Sequence, residues 1–273
     1  NFVFNWLKNS HKFENILKYN NKIKYLISFD QLEQGEQVLI WNDGGFGDFI
    51  FQLRLLEFFD KKIKLKIFDN KMSHFIREKN LITSSAADFT WHLPVNEIPR
   101  IINFNSNRYN NFKFNYLIKP SSKFIMYNDF IGVSYKTETD PSRSINYKLL
   151  KKLFKNKKNL KFFILQKTLN KDEKGFFSNF DNVSFINDLD SSLLFENTFD
   201  IVSSVKYMIT VDTAIGHISG YLGKKSFLLL QHPSVFYWGF KSKSSTDYKN
   251  HHLLRQPKPG DWDSVINDLI NII

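Results

Sequence analysis

The sequence predicts an α/β protein built from two successive halves, and three observations indicate this fold class. Short apolar runs rich in β-branched residues alternate with segments whose apolar residues recur at helical spacing. A glycine loop follows one buried run in the first half, and a capped helix follows another in the second half. A length of 273 residues allows one large or two modest domains with cores of their own.

Composition narrows the class of protein. The absence of cysteine excludes disulfides and thiolate metal sites, and it agrees with a cytoplasmic protein. Since no run reaches the roughly 18 apolar residues of a membrane-spanning helix, we expect the chain to be soluble. The net charge of +11 would attract anionic partners. This charge is weak evidence for any particular partner, because the chain is rich in Lys, Asn, Ile and Phe together. Joint enrichment in these residues is typical of drift towards A and T codons.

The N-terminal stretch, residues 1–35, is predicted as a helical segment because its apolar residues recur at helical spacing. It would be either the end of a helical repeat region or an N-terminal cap. The chain starts with Asn1 rather than Met, so we expect a natural start further upstream, where a repeat domain or a signal would be invisible in this sequence.

The first half, residues 36–120, begins with a buried strand at Val38 to Trp41 that leads into the glycine loop Asn42 to Asp48. The glycines of this loop let its backbone approach a bound group closely. The loop is neither a dinucleotide fingerprint nor a P-loop, because it lacks the third glycine of the former and the Gly-Lys-Ser/Thr of the latter. The other predicted elements are a helix from Phe49 to Phe59, a strand at Lys61 to Phe68, a helix at Met72 to Lys79, a strand at Phe89 to Leu93 and a loop at 103–115.

The second half, residues 121–273, repeats the alternation of strands and helices. A polar loop at 136–144 follows one of its strands, and the lysine-rich stretch near residue 150 is interpreted as a solvated helix face. The predicted strands are at Phe124 to Tyr127, Ile131 to Tyr135, Leu160 to Leu165 and Val183 to Ile186, and the predicted helices are at Leu149 to Phe154, Leu193 to Val205 and Val265 to Ile273.

A βαβ unit in this half is the feature on which the site prediction rests. Tyr207 to Val211 and Ser226 to Leu230 are apolar strands, and the helix between them starts after Asp212 and Thr213, which are both good N-caps. Gly223 would end that helix. Parallel strands place the helix start at the carboxyl edge of the sheet, where free backbone N–H groups favour a phosphate. Most helix starts bind only water, so an ordinary structural helix is the alternative.

Five motifs resemble, in the same order along the chain, those of the heptosyltransferase-like glycosyltransferases of family 9. They are more similar still to the glycosyltransferase domains that are found behind tetratricopeptide repeats. Each motif is weak alone, but five in the right order, over about residues 36–270, are strong. The motifs are Trp41-Asn-Asp-Gly-Gly-Phe-Gly-Asp48, Arg143-Ser-Ile145, Leu165-Gln-Lys167, Val211-Asp-Thr-Ala-Ile-Gly-His-Ile-Ser-Gly-Tyr-Leu-Gly-Lys224 and Arg255-Gln-Pro-Lys-Pro-Gly-Asp-Trp262.

This resemblance implies a GT-B-like fold, with two Rossmann-like α/β domains and a cleft between them. The nucleotide sugar would bind mainly to the second domain and the acceptor mainly to the first. The implied activity is that of an inverting, metal-independent hexosyl- or heptosyltransferase. It would move a sugar from a nucleotide-diphosphate donor to a hydroxyl of a glycan, a lipid-linked saccharide or a protein, with no further cofactor.

The resemblance also implies roles for the residues that match the family motifs. Asp48 would be the general base that takes the acceptor's proton, which implies inversion at the anomeric carbon. The alternative role of Asp48 is to cap the following helix. Gly45 and Gly47 would lie in the acceptor-side loop, and Gln166 and Lys167 near the nucleoside. The donor and diphosphate set is Lys136, Thr137, Arg143, Asp212, Thr213, Ala214, Ile215 and His217.

Within this donor set, the Thr213 hydroxyl and the amides that follow it would hold the diphosphate. Lys136 and His217 would add charge or hydrogen bonds and neutralise the leaving group without metal. Asp212 would cap the helix and contact the sugar. The scattered His residues form no metal-ligand pattern, so no metal site is predicted.

Two other classes of protein are alternatives to this prediction. A GT-B-like binding or scaffold protein that has lost turnover and works within a larger assembly is the main alternative. A nucleic-acid binder is not expected, because no predicted strand interleaves aromatic and basic residues. The expected partners are a nucleotide sugar, an acceptor and a helical-repeat region or partner protein. The expected location is the cytoplasm, including the inner face of the membrane.

The sequence departs from the family pattern on the acceptor side. The family has Glu-Gln before its Gly-Leu-Gly-Asp, whereas this chain has Asp43-Gly44, and its first half is short. The identity of the acceptor is therefore not predicted.

Overall fold

A computed structural model describes residues 11–33, 35–59, 63–68, 75–103, 117–138, 140–187, 189–190 and 195–273. The chain divides into two compact units, Asn1–Lys119 and Pro120–Ile273, which we call unit 1 and unit 2. Each unit contains one sheet, and the strands that pair within each sheet are parallel. The predicted α/β class with two successive sheets is therefore confirmed.

The sheet of unit 1 has five strands in the order β1-β5-β2-β3-β4. The chain builds outwards from β2 through β3 to β4, and then returns to the other side of β2 with β5. The point between β2 and β5, where the direction of building reverses, is the usual place for a ligand in such sheets. The strands are β1 Lys24–Tyr25, β2 Gln37–Trp41, β3 Lys64–Phe68, β4 Ile82–Thr83 and β5 Trp91–Pro94, and the helices are α1 His11–Leu17, α2 Phe46–Leu53 and α3 Ile98–Ile101.

The described part of the predicted N-terminal helical segment contributes to the core of unit 1. Helix α1 buries Phe13 and Ile16 in a cluster with Leu39 and Trp41 of β2. Strand β1 pairs with β5 at the edge of the sheet. A two-residue strand shows no alternation in the sequence, so the periodicity that predicted helix throughout this stretch could not reveal it.

Two predictions in unit 1 fall at or near residues outside the described ranges. The predicted helix at 72–79 lies partly outside them, and its described residues 75–78 are not helical. Ile76 instead forms an antiparallel bridge with Leu117, and a short 3₁₀ helix follows at Lys79–Leu81. The Asn-rich loop predicted at 103–115 lies outside the described residues after Asn103.

The sheet of unit 2 has six strands in the order β8-β7-β6-β9-β10-β11. Counted along the chain this is the order 3-2-1-4-5-6 of a dinucleotide-binding sheet, with its switch point between β6 and β9. The strands are β6 Phe130–Ser134, β7 Lys161–Ile164, β8 Val183–Phe185, β9 Tyr207–Val211, β10 Ser226–Leu230 and β11 His251–Arg255, and the helices are α4 Leu150–Asn156, α5 Lys171–Phe177, α6 Glu196–Ser204, α7 Ala214–Tyr221 and α8 Trp262–Ile272.

Alternate residues of four central strands build the core of unit 2. Ile131 and Val133 of β6 point to the same side as Ile209 and Val211 of β9, and helices α4, α5 and α8 pack on that side. This period of two follows from the pleat of a strand. The buried runs that the sequence showed are therefore the interior of the sheet.

Three elements of unit 2 differ from the prediction. The strand predicted at Phe124 to Tyr127 is wrong, because residues Ile125–Tyr127 form a 3₁₀ helix that packs the Tyr127 ring on Phe163, with ring centres 4.5 Å apart. Helix α5 and strand β11 were not predicted. Strand β11 lies beside β10, and its other side is met by an antiparallel bridge between Ser244 and His252.

In the described ranges, we find no helix with the length and apolar character needed to cross a membrane.

Candidate functional site

The switch point of unit 2 brings together two loops that the sequence predicted as a donor site. The loop after β6 carries Lys136, Thr137 and Arg143, and β9 leads directly into Asp212. The Arg143 guanidinium joins the two loops, because its Nη1 lies 3.4 Å from the Asp212 carbonyl oxygen and 3.8 Å from Asp212 Oδ2. Asp212 is 1% exposed, so this ion pair is largely shielded from water.

The loop after β6 is held together by contacts between its own residues. Ser144 Oγ accepts the Thr137 amide at 3.0 Å and lies 3.3 Å from the Thr137 carbonyl oxygen. Asp140 caps the short 3₁₀ helix Pro141–Arg143 and contacts Arg143 Nε at 3.3 Å. Arg143 is therefore held at the carboxyl edge of the sheet by the loop that carries it.

Helix α7 begins at this edge with Thr213 as its N-cap residue. Asp212 and Thr213 were equally good candidates for the cap by residue type, and the structure places Thr213 at that position. The Thr213 side chain makes no capping hydrogen bond, and its hydroxyl lies 3.4 Å from Thr210 Oγ1. The amides of Ala214 and Ile215 belong to the first turn, which has no intrahelical acceptors. This arrangement can accept an anion along the helix axis.

Lys136 is paired with a residue that the site prediction did not include. Its Nζ lies 2.7 Å from both carboxylate oxygens of Glu173, which is 4% exposed. Glu173 forms a capping box with Asn170 at the start of α5. The spacing of Asn170 and Glu173 is a helix-start signal in the sequence, and it could have revealed α5 but not the partner of its carboxylate.

His217 lies in the second turn of α7, and its side chain is 1% exposed. Its Nδ1 lies 3.1 Å from the Tyr248 hydroxyl, and its ring stacks on Trp238 with centres 5.1 Å apart. Tyr237 completes the surroundings at 5.5 Å. The structure thus encloses His217 in an aromatic cluster beneath the helix start, and direct contact of His217 with phosphate stays a prediction.

Tight packing in this cluster gives a stability prediction. An added Cβ at Gly220 of α7 would overlap the buried Tyr248 ring, lying 2.6 Å from its Cε1. Gly220→Ala should therefore destabilise unit 2 by about 1–3 kcal/mol, the usual cost of overpacking. The midpoint of thermal unfolding should fall by about 2–4 °C per kcal/mol.

The matched control is Gly175→Ala in helix α5, where an added Cβ meets nothing within 4 Å. This change should stabilise by roughly 0.5–1 kcal/mol, because glycine is unfavourable inside a helix. Equal effects of the two variants would contradict the packing described for Gly220.

The two nucleoside-side residues follow β7, the neighbour of β6. Gln166 is 7% exposed and donates through Nε2 to Ser134 Oγ at 3.0 Å. Lys167 is exposed. The side chain of Gln166 is therefore part of the floor of this edge, and that of Lys167 reaches solvent.

The glycine loop of unit 1 lies at the switch point between β2 and β5. Gly45 is the N-cap residue of α2, and Gly47 is the second residue of that helix. Asp48 closes a capping interaction, because its Oδ2 accepts the Gly45 amide at 2.8 Å. A Cβ on Gly44 would lie 2.7 Å from the same oxygen, so Asp48 packs over a position that only glycine fills without displacement.

A second carboxylate lies in the same loop. Asp43 Oδ1 accepts the Asn96 amide at 3.1 Å, which ties the loop after β2 to the turn after β5. Burial raises the pKa of Asp43 above its usual value, although hydrogen bonds from Asn96 and the charge of Lys12 oppose this shift. Lys12 of α1 also donates to the Gly44 carbonyl oxygen. Unit 1 therefore offers two carboxylates, Asp43 and Asp48, at one sheet edge.

No group of three or more His, Asp or Glu side chains within the described ranges is arranged to hold a metal ion.

Two parallel sheets in successive α/β units, with the order 3-2-1-4-5-6 in the second, define a GT-B-like fold. The fold is shared with three solved glycosyltransferases, each 10% identical to this chain with a TM-score of 0.57. Escherichia coli heptosyltransferase WaaC with ADP-2-deoxy-2-fluoro heptose matches over 86% of this chain and 99% of its own. A family 9 glycosyl transferase from Veillonella parvula DSM 2008 matches over 88% and 92%. The iron-containing dodecameric glycosyltransferase TibC from enterotoxigenic E. coli H10407 matches over 89% and 74%.

No protein-family model and no curated protein sequence matches the chain. The structural likeness confirms the predicted heptosyltransferase-like fold. An association with tetratricopeptide repeats stays a prediction.

Proposed function

We propose that this protein is a glycosyltransferase that moves a sugar from a nucleotide-diphosphate donor to a hydroxyl acceptor. The observation that supports this most is the switch point of unit 2, where the start of α7 meets the loop that carries Lys136 and Arg143. This is the place at which a doubly wound sheet binds nucleotides.

The donor's diphosphate would lie at the start of α7. The amides of Ala214 and Ile215 and the Thr213 hydroxyl would donate to it, and the dipole of the helix favours its negative charge. Lys136 and Arg143 belong to the neighbouring loop after β6, but each already faces a carboxylate, so their net contribution would be smaller than two full charges. Amide donors therefore supply much of the neutralisation, and we propose that the leaving group departs without a metal ion.

Transfer of a sugar from a nucleoside diphosphate to a hydroxyl needs a base that takes the proton of that hydroxyl. We assign this role to Asp48, which would take the proton of the attacking hydroxyl and lead to inversion at the anomeric carbon. Its bond to the Gly45 amide uses one carboxylate oxygen and fixes the orientation of the other. Capping and catalysis are therefore compatible in this residue.

The donor is proposed to carry an adenine nucleotide and a heptose. WaaC was solved with ADP-2-deoxy-2-fluoro heptose and TibC with ADP-D-β-D-heptose, and these proteins share the fold of this chain. The acceptor side differs from the family pattern at Asp43 and Gly44, so the acceptor is proposed only as a saccharide, lipid-linked or protein hydroxyl.

Calorimetric titration of ADP, GDP, UDP and their nucleosides tests the donor site. We expect a nucleoside diphosphate to bind more tightly than its nucleoside, and chelators to leave both binding and transfer intact. Thr213→Val should weaken binding of the nucleoside diphosphate by about 0.5–3 kcal/mol, the range for one hydrogen bond to a neutral or charged group. The affinity for the nucleoside should not change.

His217→Ala extends the same test. A loss confined to the diphosphate would indicate a phosphate contact, whereas equal losses for both ligands would assign His217 to the structure of the aromatic cluster. Binding of a nucleotide sugar without release of the nucleoside diphosphate would favour the alternative of an inactive scaffold. A strict requirement for Mg²⁺ or Mn²⁺ would contradict the proposed neutralisation by amides.

A further inference from the structure

The ion pair between Lys136 and Glu173 has a geometry that leaves part of the ammonium available. Nζ lies 2.7 Å from each of the two carboxylate oxygens, and the side chains are 28% and 5% exposed. An ammonium group carries three N–H donors. Two of them serve Glu173, so the third can serve a ligand at the carboxyl edge of the sheet.

Glu173 is itself fixed by the start of helix α5. Its Oε2 accepts the Asn170 amide at 2.9 Å, and its own amide donates to Asn170 Oδ1 at 2.9 Å. Burial alone would raise the pKa of Glu173, but the hydrogen bonds from Lys136 and Asn170 outweigh it and lower the pKa below the usual value. Glu173 is therefore ionised at neutral pH and held in one place.

We propose that Glu173 is a positioning residue that preorganises Lys136 for the diphosphate of the donor. A free lysine side chain loses much rotamer freedom when it binds a ligand. Lys136 has lost that freedom before the ligand arrives, because both oxygens of a buried carboxylate hold its ammonium. This assignment rests on the proposed donor site at the switch point of unit 2.

The test is a double-mutant cycle on Lys136 and Glu173, with affinities measured by calorimetry. The ligands are the tightest of ADP, GDP and UDP and the matching nucleoside. Lys136→Ala and Glu173→Ala should each lower the affinity for the nucleoside diphosphate about tenfold. The double variant should bind it no more weakly than either single variant, because the effects of coupled residues are not additive. The nucleoside should bind all variants within about twofold of wild type.

Two further variants separate positioning from other roles. Glu173→Gln keeps the length of the side chain and an oxygen for the Asn170 amide, and it should weaken the diphosphate less than Glu173→Ala does. Asp263→Ala removes a pair of matched geometry, in which Lys152 Nζ lies 2.8 Å from both oxygens of an exposed Asp263. This control should leave the affinity unchanged.

Three outcomes would overturn the assignment while wild-type protein still binds a nucleoside diphosphate. Tighter binding by Glu173→Gln would show that Glu173 competes with the donor for Lys136. Unchanged affinity with a lower unfolding temperature would reduce Glu173 to a helix cap. Equal losses of affinity for the nucleoside and the diphosphate would indicate that Glu173 acts on the nucleoside part of the ligand. Wild-type protein that binds none of ADP, GDP and UDP would instead overturn the proposed function, and this assignment with it.

Discussion

Asp48→Asn should lower sugar transfer at least roughly a hundredfold, the low end for loss of a general base. The affinity for the nucleotide sugar should not change, because the proposed donor residues belong to unit 2 and Asp48 belongs to unit 1. Asparagine keeps an oxygen that can accept the Gly45 amide, so the start of α2 should survive the change. Release of the nucleoside diphosphate from the nucleotide sugar measures transfer, and calorimetry measures binding.

The control is Asp43→Asn in the same loop. Asparagine can also accept the Asn96 amide that Asp43 Oδ1 accepts at 3.1 Å, so this variant should retain most of the transfer activity. The opposite result, with transfer lost in Asp43→Asn and kept in Asp48→Asn, would move the base to Asp43. In that case the raised pKa of the partly buried Asp43 carboxyl would suit it to accept a proton nearer neutral pH.

Ala214→Asp should abolish binding of nucleoside diphosphates without unfolding the protein. Ala214 is the first residue of α7, where a carboxylate would interact favourably with the helix start and occupy the place proposed for the diphosphate. Two unit charges about 4 Å apart at an effective dielectric constant of about 20 repel by about 4 kcal/mol. Since about 1.4 kcal/mol is tenfold in affinity, the loss should exceed roughly a hundredfold.

Ala214→Asn is the matched variant for this prediction, because it has the size of the aspartate and no charge. It should weaken the diphosphate far less than Ala214→Asp does, and the thermal unfolding midpoints of the two variants should be close to that of wild type. Similar affinities for the two variants would mean that the diphosphate does not lie at the start of α7.

The central βαβ unit of unit 2 could be predicted almost to the residue. The strands Tyr207–Val211 and Ser226–Leu230 have the predicted bounds, since each is a mostly apolar five-residue run with a polar residue on either side. The helix between them ends before Gly223, whose φ of 64° is the left-handed conformation expected after a helix. Local signals agree with the fold here, which is why the prediction succeeds.

The partners of the charged site residues could not be predicted from the sequence. Lys136 and Glu173 are 37 residues apart in the sequence, and Arg143 and Asp212 are 69 residues apart. Such pairs depend on which strands become neighbours, and periodicity within one segment does not report that. The same limit applies to His217, whose spacing placed it correctly on α7 but could not show that Tyr248 and Trp238 enclose it.

The wrong strand at Phe124 to Tyr127 has a related cause. Its aromatic residues gave the composition of a strand, yet the Tyr127 ring packs against Phe163 of β7 and also lies edge-on to Phe130 of β6. In this 3₁₀ helix the rings of Phe124 and Tyr127 are only partly buried, and Ile125 and Met126 are exposed. Apolar composition therefore overstated the burial of this segment, and tertiary packing decided the choice of element.

The edges of both sheets leave little backbone for another chain to pair with. Strands β1 and β4 have two residues each and β8 has three, so these edges present few unpaired N–H and C=O groups. The longer edge strand β11 is covered in part, because Leu253 donates to the Lys243 carbonyl oxygen at 2.9 Å and Ser244 bridges His252. Short or covered edges are how natural sheets avoid edge-to-edge aggregation. A protein whose core consists of parallel strands far apart in sequence folds slowly, and these edges would limit mispairing once each sheet has formed.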